Sequence, residues 1–163
     1  MSEHYEVHLA KDVLGFSAAH FITLGHAECE PLHGHTYHVG VEIRGSLDEH
    51  HCVVDFLLLR KLMTTLLEAW DHRVLLPTES LLLRVKESKR EVEVTFGERR
   101  WIFPRADCVL LPVANTTTEM LARELARGLC ARLESQLGEV PGRVRVEVDE
   151  GDGQSALFTT SRQ

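Results

Sequence analysis

Alternation of apolar and polar residues along the chain predicts a fold rich in β-strands with two amphipathic helices. Apolar residues at helical spacing predict one helix over residues 56–70 and a second helix from about residue 116 to Gly138. Period-two alternation predicts strands over residues 4–10, 16–22, 34–45, 144–149 and 155–160. Strands and helices in this order predict an α+β fold, in which two helices cover one face of an antiparallel sheet.

The starts of both helices carry recognisable capping residues. Asp55 is the expected N-cap of the first helix. Thr116 and Glu119 have the spacing of a capping box for the second helix. Exposed backbone N–H groups at this helix start, at Thr116 and Thr117, are also candidate donors to a bound substrate.

The stretch between the two helices has a weaker pattern. Val92, Val94 and Phe96 alternate with polar residues, a turn follows at 97–100, and Trp101 and Phe103 alternate after it. This pattern predicts an inserted hairpin. A further short strand is predicted over 109–111. No repeat or linker interrupts the chain, so residues 1–163 are predicted to form a single domain.

The amino-acid composition of the chain argues against some functional classes. The 163 residues are 44% hydrophobic and carry a net charge of −7, which argues against a broad nucleic-acid surface but permits an anionic substrate held by a few basic side chains. We find no apolar run that predicts a signal peptide or a membrane helix. Four cysteines without paired spacing predict reduced thiols and a cytoplasmic location.

The most informative stretch lies between residues 16 and 38, where three histidines stand among small and apolar residues. His33 and His35 are two apart on a predicted strand, so their side chains share a face, and His20 on the preceding strand offers a third nitrogen. Three imidazoles with one open position are the usual layout of a catalytic zinc site. Cys29, four residues before His33, is placed to face the open position without filling it.

Four short motifs stand in order along the chain. They are Phe-Ser-Ala-Ala-His at 16–20, Cys-x-x-x-His-Gly-His at 29–35, Asp-His at 71–72 and Thr-Thr-Thr-Glu at 116–119. Together they resemble the 6-pyruvoyltetrahydropterin synthase family, which includes the 6-carboxytetrahydropterin synthases of queuosine biosynthesis. The resemblance runs nearly end to end, except for about residues 77–113. The resemblance implies a tunnelling fold, in which sheets join across subunits into a barrel, and a homo-oligomer, usually a hexamer, with active sites between subunits.

The resemblance also implies roles for individual residues. His20, His33 and His35 would bind Zn²⁺, Cys29 would be the general base, and Asp71 with His72 would relay protons. A glutamate near the final hairpin would hold the pterin ring. Counting along the closing strands matches this glutamate to Glu150, whereas Glu147 is predicted to face away. The implied reaction is a zinc-dependent cleavage of the side chain of 7,8-dihydroneopterin triphosphate, forming 6-carboxy-5,6,7,8-tetrahydropterin.

The residue after Cys29 leaves the product open. Some relatives have a glutamate in this loop and resemble enzymes that cut the side chain to 6-hydroxymethyl-dihydropterin, a folate precursor. Glu30 is therefore a second candidate base, in place of the thiolate or beside it. A pyruvoyl product of the biopterin branch is the other alternative.

Two other interpretations of the histidine pattern are weaker. A cupin-type metal enzyme also uses His-x-His on a strand, but it needs a glutamate a few residues later, and here the next one is Glu42. A member of the same fold that binds metal without catalysis is the second. The presence of Cys29, Asp71 and His72 argues against it.

Overall fold

The computed structural model of the chain describes residues 3–25, 27–151 and 153–160. Asp152, within the predicted turn at 151–153, lies outside the described residues. The helices are α1, Phe56–Glu68, and α2, Thr118–Leu137. The strands in chain order are β1 Tyr5–Leu9, β2 Gly15–His20, β3 Thr23–Leu24, β4 Glu28–Cys29, β5 His33–Gly45, β6 Arg73–Pro77, β7 Arg84–Glu87, β8 Glu91–Phe96, β9 Arg99–Pro104, β10 Cys108–Leu111, β11 Gly142–Asp149 and β12 Ser155–Thr159.

The main sheet is built around the long strand β5. Its strand order is β10-β6-β2-β5-β11-β12, and β1 pairs with the C-terminal half of β5 on the same edge as β2. The predicted α+β class is confirmed. The prediction of a purely antiparallel sheet is wrong, because β6 runs parallel to both β2 and β10. After β5 the chain passes through α1 and enters β6, which adds to the sheet beside β2 and not beside β5. Strand β6 runs opposite to β5, and β2 also runs opposite to β5, so β6 and β2 are parallel.

The core lies between one face of the main sheet and the two helices. Val144, Val146 and Val148 of β11 are fully buried, as their alternation with charged residues predicts. The helices contribute Leu59 and Met63 of α1, and Leu121, Leu125, Leu129 and Leu133 of α2, all fully buried. Both helices therefore lie on one face, and polar side chains occupy the other. No described helix is long and apolar enough to span a membrane.

The two helix starts differ from each other. Asp55 caps α1 as predicted, because its side chain accepts a hydrogen bond from the Leu58 N–H at 2.7 Å. The capping box predicted for α2 is not formed. The helix begins one residue later than predicted, and its N-cap, Thr117, makes no side-chain hydrogen bond. The hydroxyl of Thr116, the predicted cap, donates to the Phe21 carbonyl at 2.8 Å. This bond ties the start of α2 to the end of β2.

The inserted segment is larger than the predicted hairpin. Strands β8 and β9 form the hairpin, and β7 adds a third strand to make a separate small sheet, called here the insertion sheet. The pattern missed β7 because Arg84–Glu87 has one half-buried apolar residue among exposed charges. The insertion sheet packs on the main domain through a second apolar cluster that contains Phe21, Leu76, Leu83, Val92, Val94 and Cys108.

Candidate active site and metal centre

Strand register brings the three predicted zinc ligands together. In the antiparallel pairing of β2 with β5, His20 stands opposite His33, and Ala18 stands opposite His35. Side chains two apart on a strand share a face, so His33 and His35 both lie on the side that carries His20. One ligand nitrogen from each of the three imidazoles falls within 4.8 Å of the other two.

The glycine between the two histidines is required by the close approach of β2. A Cβ atom on Gly34 would lie 2.8 Å from the carbonyl oxygen of Ala18. Because this oxygen belongs to the backbone, no change of side-chain rotamer could relieve the clash. The absence of a side chain at Gly34 therefore lets β2 and β5 pair at the point where the three histidines converge.

Hydrogen bonds fix the tautomers of two of the imidazoles. His20 Nδ1 lies 2.9 Å from the Thr116 carbonyl oxygen, and His33 Nδ1 lies 2.8 Å from the Pro31 carbonyl oxygen. A carbonyl only accepts, so both Nδ1 atoms carry the proton and both Nε2 atoms present a lone pair. Such an N–H to carbonyl bond is the usual support of a metal-ligating histidine.

The geometry of these lone pairs fits a cation. The Nε2 atoms of His20 and His33 are 3.2 Å apart, and two facing lone pairs at that distance repel unless a proton or a metal lies between them. Two nitrogens on a tetrahedral Zn²⁺ are about 3.3 Å apart. Burial lowers the pKa of His20 to about 4, so this imidazole is neutral at physiological pH. The residues present therefore fit a three-histidine metal centre.

The histidines open onto a cavity of about 530 Å³, a size typical of small-ligand pockets. Its residues come from β2, β5, the start of α2 and the final hairpin, so segments far apart in sequence meet here. They are His20, Ile22, Glu30, His33, His35, Thr117, Thr118, Glu119, Glu150, Gly153, Gln154, Ser155 and Ala156.

The two candidate bases occupy different environments. Glu30 lines the cavity, and its Oε2 lies 3.7 Å from His33 Nε2. Cys29 is not among the cavity-lining residues and packs instead against the apolar cluster under the insertion sheet. Adjacent residues in extended backbone point to opposite sides, which explains why one of the two faces the site and the other does not.

The environment of Cys29 does not favour its thiolate. Burial raises the pKa of this thiol above its ordinary value, and the nearby guanidinium of Arg99 opposes that increase only in part. Of the two candidate bases, Glu30 is the one whose side chain lies in the cavity beside the three histidines. The role of Cys29 as base stays a prediction that rests on the resemblance.

Glu150 directly follows β11, in register with the buried valines of that strand, and it lines the cavity. Its Oε2 accepts a hydrogen bond from the Thr118 hydroxyl at 2.8 Å and lies 4.0 Å from His35 Nε2. Glu147 points to the opposite face of the sheet, where Lys11 binds it at 2.8 Å. The two glutamates are thus placed as the sequence predicts, and Glu150 is the one that can reach a ligand.

Asp71 and His72 form a pair outside this cavity. His72 Nδ1 lies 2.8 Å from Asp71 Oδ2, and the backbone N–H of Ser17 donates to the other carboxylate oxygen at 2.8 Å. The hydrogen bond from the Ser17 N–H, and to a smaller extent the one from His72, hold the pKa of Asp71 below its usual range. The side chain of His72 is 81% exposed. Neither residue lines the cavity that holds the histidines of the same chain.

The two threonines predicted at the start of α2 have different places. Thr117 lines the cavity, whereas Thr116 is fully buried and reaches the site only through its carbonyl contact with His20. Thr118 and Glu119 also line the cavity, although the sequence predicts no substrate contact for either and a capping role alone for Glu119. Their place in the first turn of a helix whose start faces a ligand site is the signal that points to them.

Comparison with known proteins identifies the family. The family model described as 6-pyruvoyl tetrahydropterin synthase matches residues 10–161. The chain belongs to this family. A putative 6-carboxy-5,6,7,8-tetrahydropterin synthase of Methanocaldococcus jannaschii is 30% identical over 146 residues, which cover 89% of each chain. The dihydroneopterin monophosphate aldolase of Pyrococcus furiosus is 34% identical over 82 residues, covering 47% of this chain and 69% of the aldolase.

Solved structures of the 6-pyruvoyl tetrahydropterin synthase family share the fold. The crystal structure of the Plasmodium vivax enzyme matches with a TM-score of 0.89 at 25% identity, covering 99% of this chain and all of that one. The resemblance seen in the sequence is therefore confirmed. Family membership makes this chain a lyase that acts on the side chain of a pterin.

Proposed function

We propose that this protein is a zinc-dependent lyase that converts 7,8-dihydroneopterin triphosphate to 6-carboxy-5,6,7,8-tetrahydropterin, the queuosine branch of the family. The observation that carries the proposal is the convergence of two lone-pair nitrogens, 3.2 Å apart, beside Glu30 and Glu150 in one cavity. The name of the M. jannaschii relative supports the carboxy product. The free thiols of all four cysteines support a reducing, cytoplasmic location.

Each residue of the cavity has a separate task in this proposal. His20, His33 and His35 hold Zn²⁺, which when bound acts as a Lewis acid toward substrate oxygens. Glu150 accepts hydrogen bonds from the amino and N–H groups of the pterin ring. Glu30 removes a proton from the side chain of the substrate. Thr117 and Thr118 line the same cavity at the N-terminal, positive end of α2, which suits an anionic group of the substrate.

A second candidate function is favoured by Glu30. Its carboxylate faces the metal centre, and the P. furiosus relative is an aldolase of dihydroneopterin monophosphate. The alternative is thus cleavage to 6-hydroxymethyl-dihydropterin. Incubation with dihydroneopterin triphosphate, and separately with the monophosphate, followed by mass analysis of the products, distinguishes the two. A carboxylated pterin with acetaldehyde supports the first proposal, a hydroxymethyl pterin supports the second, and no turnover of either compound rejects both.

Variants of Glu150 and Glu147 form a matched pair that tests whether Glu150 anchors the pterin. Glu150→Gln will weaken pterin binding by roughly tenfold or more, because the ring donors lose a charged acceptor that is largely shielded from solvent. Glu147→Gln removes the same charge from the opposite face of the sheet and will leave binding unchanged. Fluorescence titration with a pterin measures both, with zinc content as the folding control. The reverse ranking would show that Glu150 is not the anchor.

The exposed pair Asp71–His72 is assigned to the active site of a neighbouring subunit in a homo-oligomer, a hexamer by family resemblance. Among the described strands, β10 and β12 end the main sheet, and sheet edges of this kind favour association. Light scattering is expected to show an oligomer. Mixed oligomers of inactive His33→Ala and His72→Ala subunits will regain activity, because some sites then combine intact halves. A monomer, or no recovery after mixing, would contradict this arrangement.

A further inference from the structure

The insertion sheet reaches the active-site loop through one side chain. Arg99 stands at the start of β9, directly after the β8–β9 turn, where Gly97 adopts a φ of 56°. The Nη2 of Arg99 donates a hydrogen bond to the carbonyl oxygen of Cys29 at 2.8 Å. This bond joins two segments that are 70 residues apart in sequence.

Aromatic rings orient this guanidinium. The Arg99 guanidinium carbon lies 5.0 Å from the ring centroid of Phe96 and 5.2 Å from that of Trp101. Both distances suit a cation–π interaction. Trp101 in turn contacts the ring of Phe21, with centroids 4.7 Å apart, and Phe21 is fully buried directly after His20. Arg99 is therefore held by rings that are anchored at the core beside the metal centre.

The loop on which Arg99 acts carries the candidate base. The N–H of Glu30 donates to the Ile22 carbonyl at 2.8 Å, and the carbonyl of Pro31 accepts from His33 Nδ1. Together with the bond from Arg99 to Cys29, these contacts hold the backbone of three successive residues, 29–31, by hydrogen bonds. Of these three bonds, the one from Arg99 comes from the insertion sheet.

We propose that Arg99 is a positioning residue, which clamps the Cys29–Glu30 backbone so that Glu30 faces the metal centre, and that this clamp is the function of the insertion sheet. Arg99 does not line the substrate cavity, so it acts through the loop and not on the substrate. A planar guanidinium can stack on rings and donate in its plane at the same time, which a lysine ammonium cannot do equally well. The catalytic part of this inference rests on the proposed function.

Hydrogen exchange tests the clamp without any assay of activity. In Arg99→Ala, the amides of residues 22–33, including the Glu30 amide, will exchange roughly tenfold faster, because a charge-assisted hydrogen bond to the loop is lost. Peptides from α1 and β11 will keep their exchange rates. Arg100→Ala is the matched control, since Arg100 is adjacent, carries the same charge and pairs with Glu93 at 2.6 Å within the insertion sheet. It will leave the loop protected.

Kinetics separate positioning from a general loss of structure. In Arg99→Ala, kcat will fall by roughly tenfold or more while KM changes little, because the base is misplaced and the pterin anchor is intact. Arg99→Lys will recover part of the loss. Unchanged exchange in Arg99→Ala, or equal loosening in Arg100→Ala, overturns the clamp. Failure of the wild-type protein to convert any dihydroneopterin phosphate would reject the proposed function alone, and the exchange comparison would still decide the clamp.

Discussion

Replacing Glu30 by glutamine is expected to lower kcat by roughly a hundredfold or more, the usual contribution of a general base. Glu30 lines the cavity, and its Oε2 lies 3.7 Å from the Nε2 of His33. Glutamine keeps the size of the side chain but cannot take up a proton. Steady-state turnover of dihydroneopterin triphosphate measures the effect.

Two further variants make the result interpretable. Glu28→Gln removes the same charge from an exposed position on β4 and will leave kcat unchanged. Cys29→Ser will cost less than Glu30→Gln, because this thiol packs in the apolar cluster and burial raises its pKa. A larger loss in Cys29→Ser would transfer the role of base to the thiol and contradict the placement inferred from this structure.

The second large effect concerns the metal. Wild-type protein is expected to bind about one zinc per chain, and His33→Ala will lose it, since two imidazoles rarely hold Zn²⁺ in a catalytic site. The loss will abolish turnover. Elemental analysis of the purified proteins gives the zinc content directly.

A histidine on the same strand supplies the control for this loss. His38 lies on β5 at a position that faces away from the helices, so His38→Ala removes an imidazole without touching the ligand cluster. This variant will keep its zinc. Full zinc retention in His33→Ala would show that the three histidines are not the metal centre.

Local pattern was sufficient to predict the elements that build the site. The valines of β11, the leucines of α2 and the two-residue spacing of His33 and His35 each follow from period and burial alone. The histidine cluster also depends on the register of β2 against β5, which sets His20 opposite His33. The pattern places His20 on a neighbouring strand, but it does not determine this register.

Features set by distant pairings could not be predicted from the sequence. Parallel addition of β6 to β2 depends on how the chain crosses through α1, which no local pattern encodes. The side chain of Thr116 was assigned to a cap, but a partner at Phe21, 95 residues away, binds its hydroxyl. The sequence predicts a turn over 97–100 and no role for Arg99, whereas the structure places Arg99 at the start of β9, where it binds the Cys29 carbonyl.

The proposal depends above all on metal-dependent chemistry at the three histidines. Its most direct test is the turnover of dihydroneopterin triphosphate by chelator-stripped protein as Zn²⁺ is added back. Activity is expected to be absent at first, to rise linearly and to reach its maximum at about one zinc per chain, as a single three-histidine site requires. Full turnover by the stripped protein, or none after zinc is restored, would contradict the account.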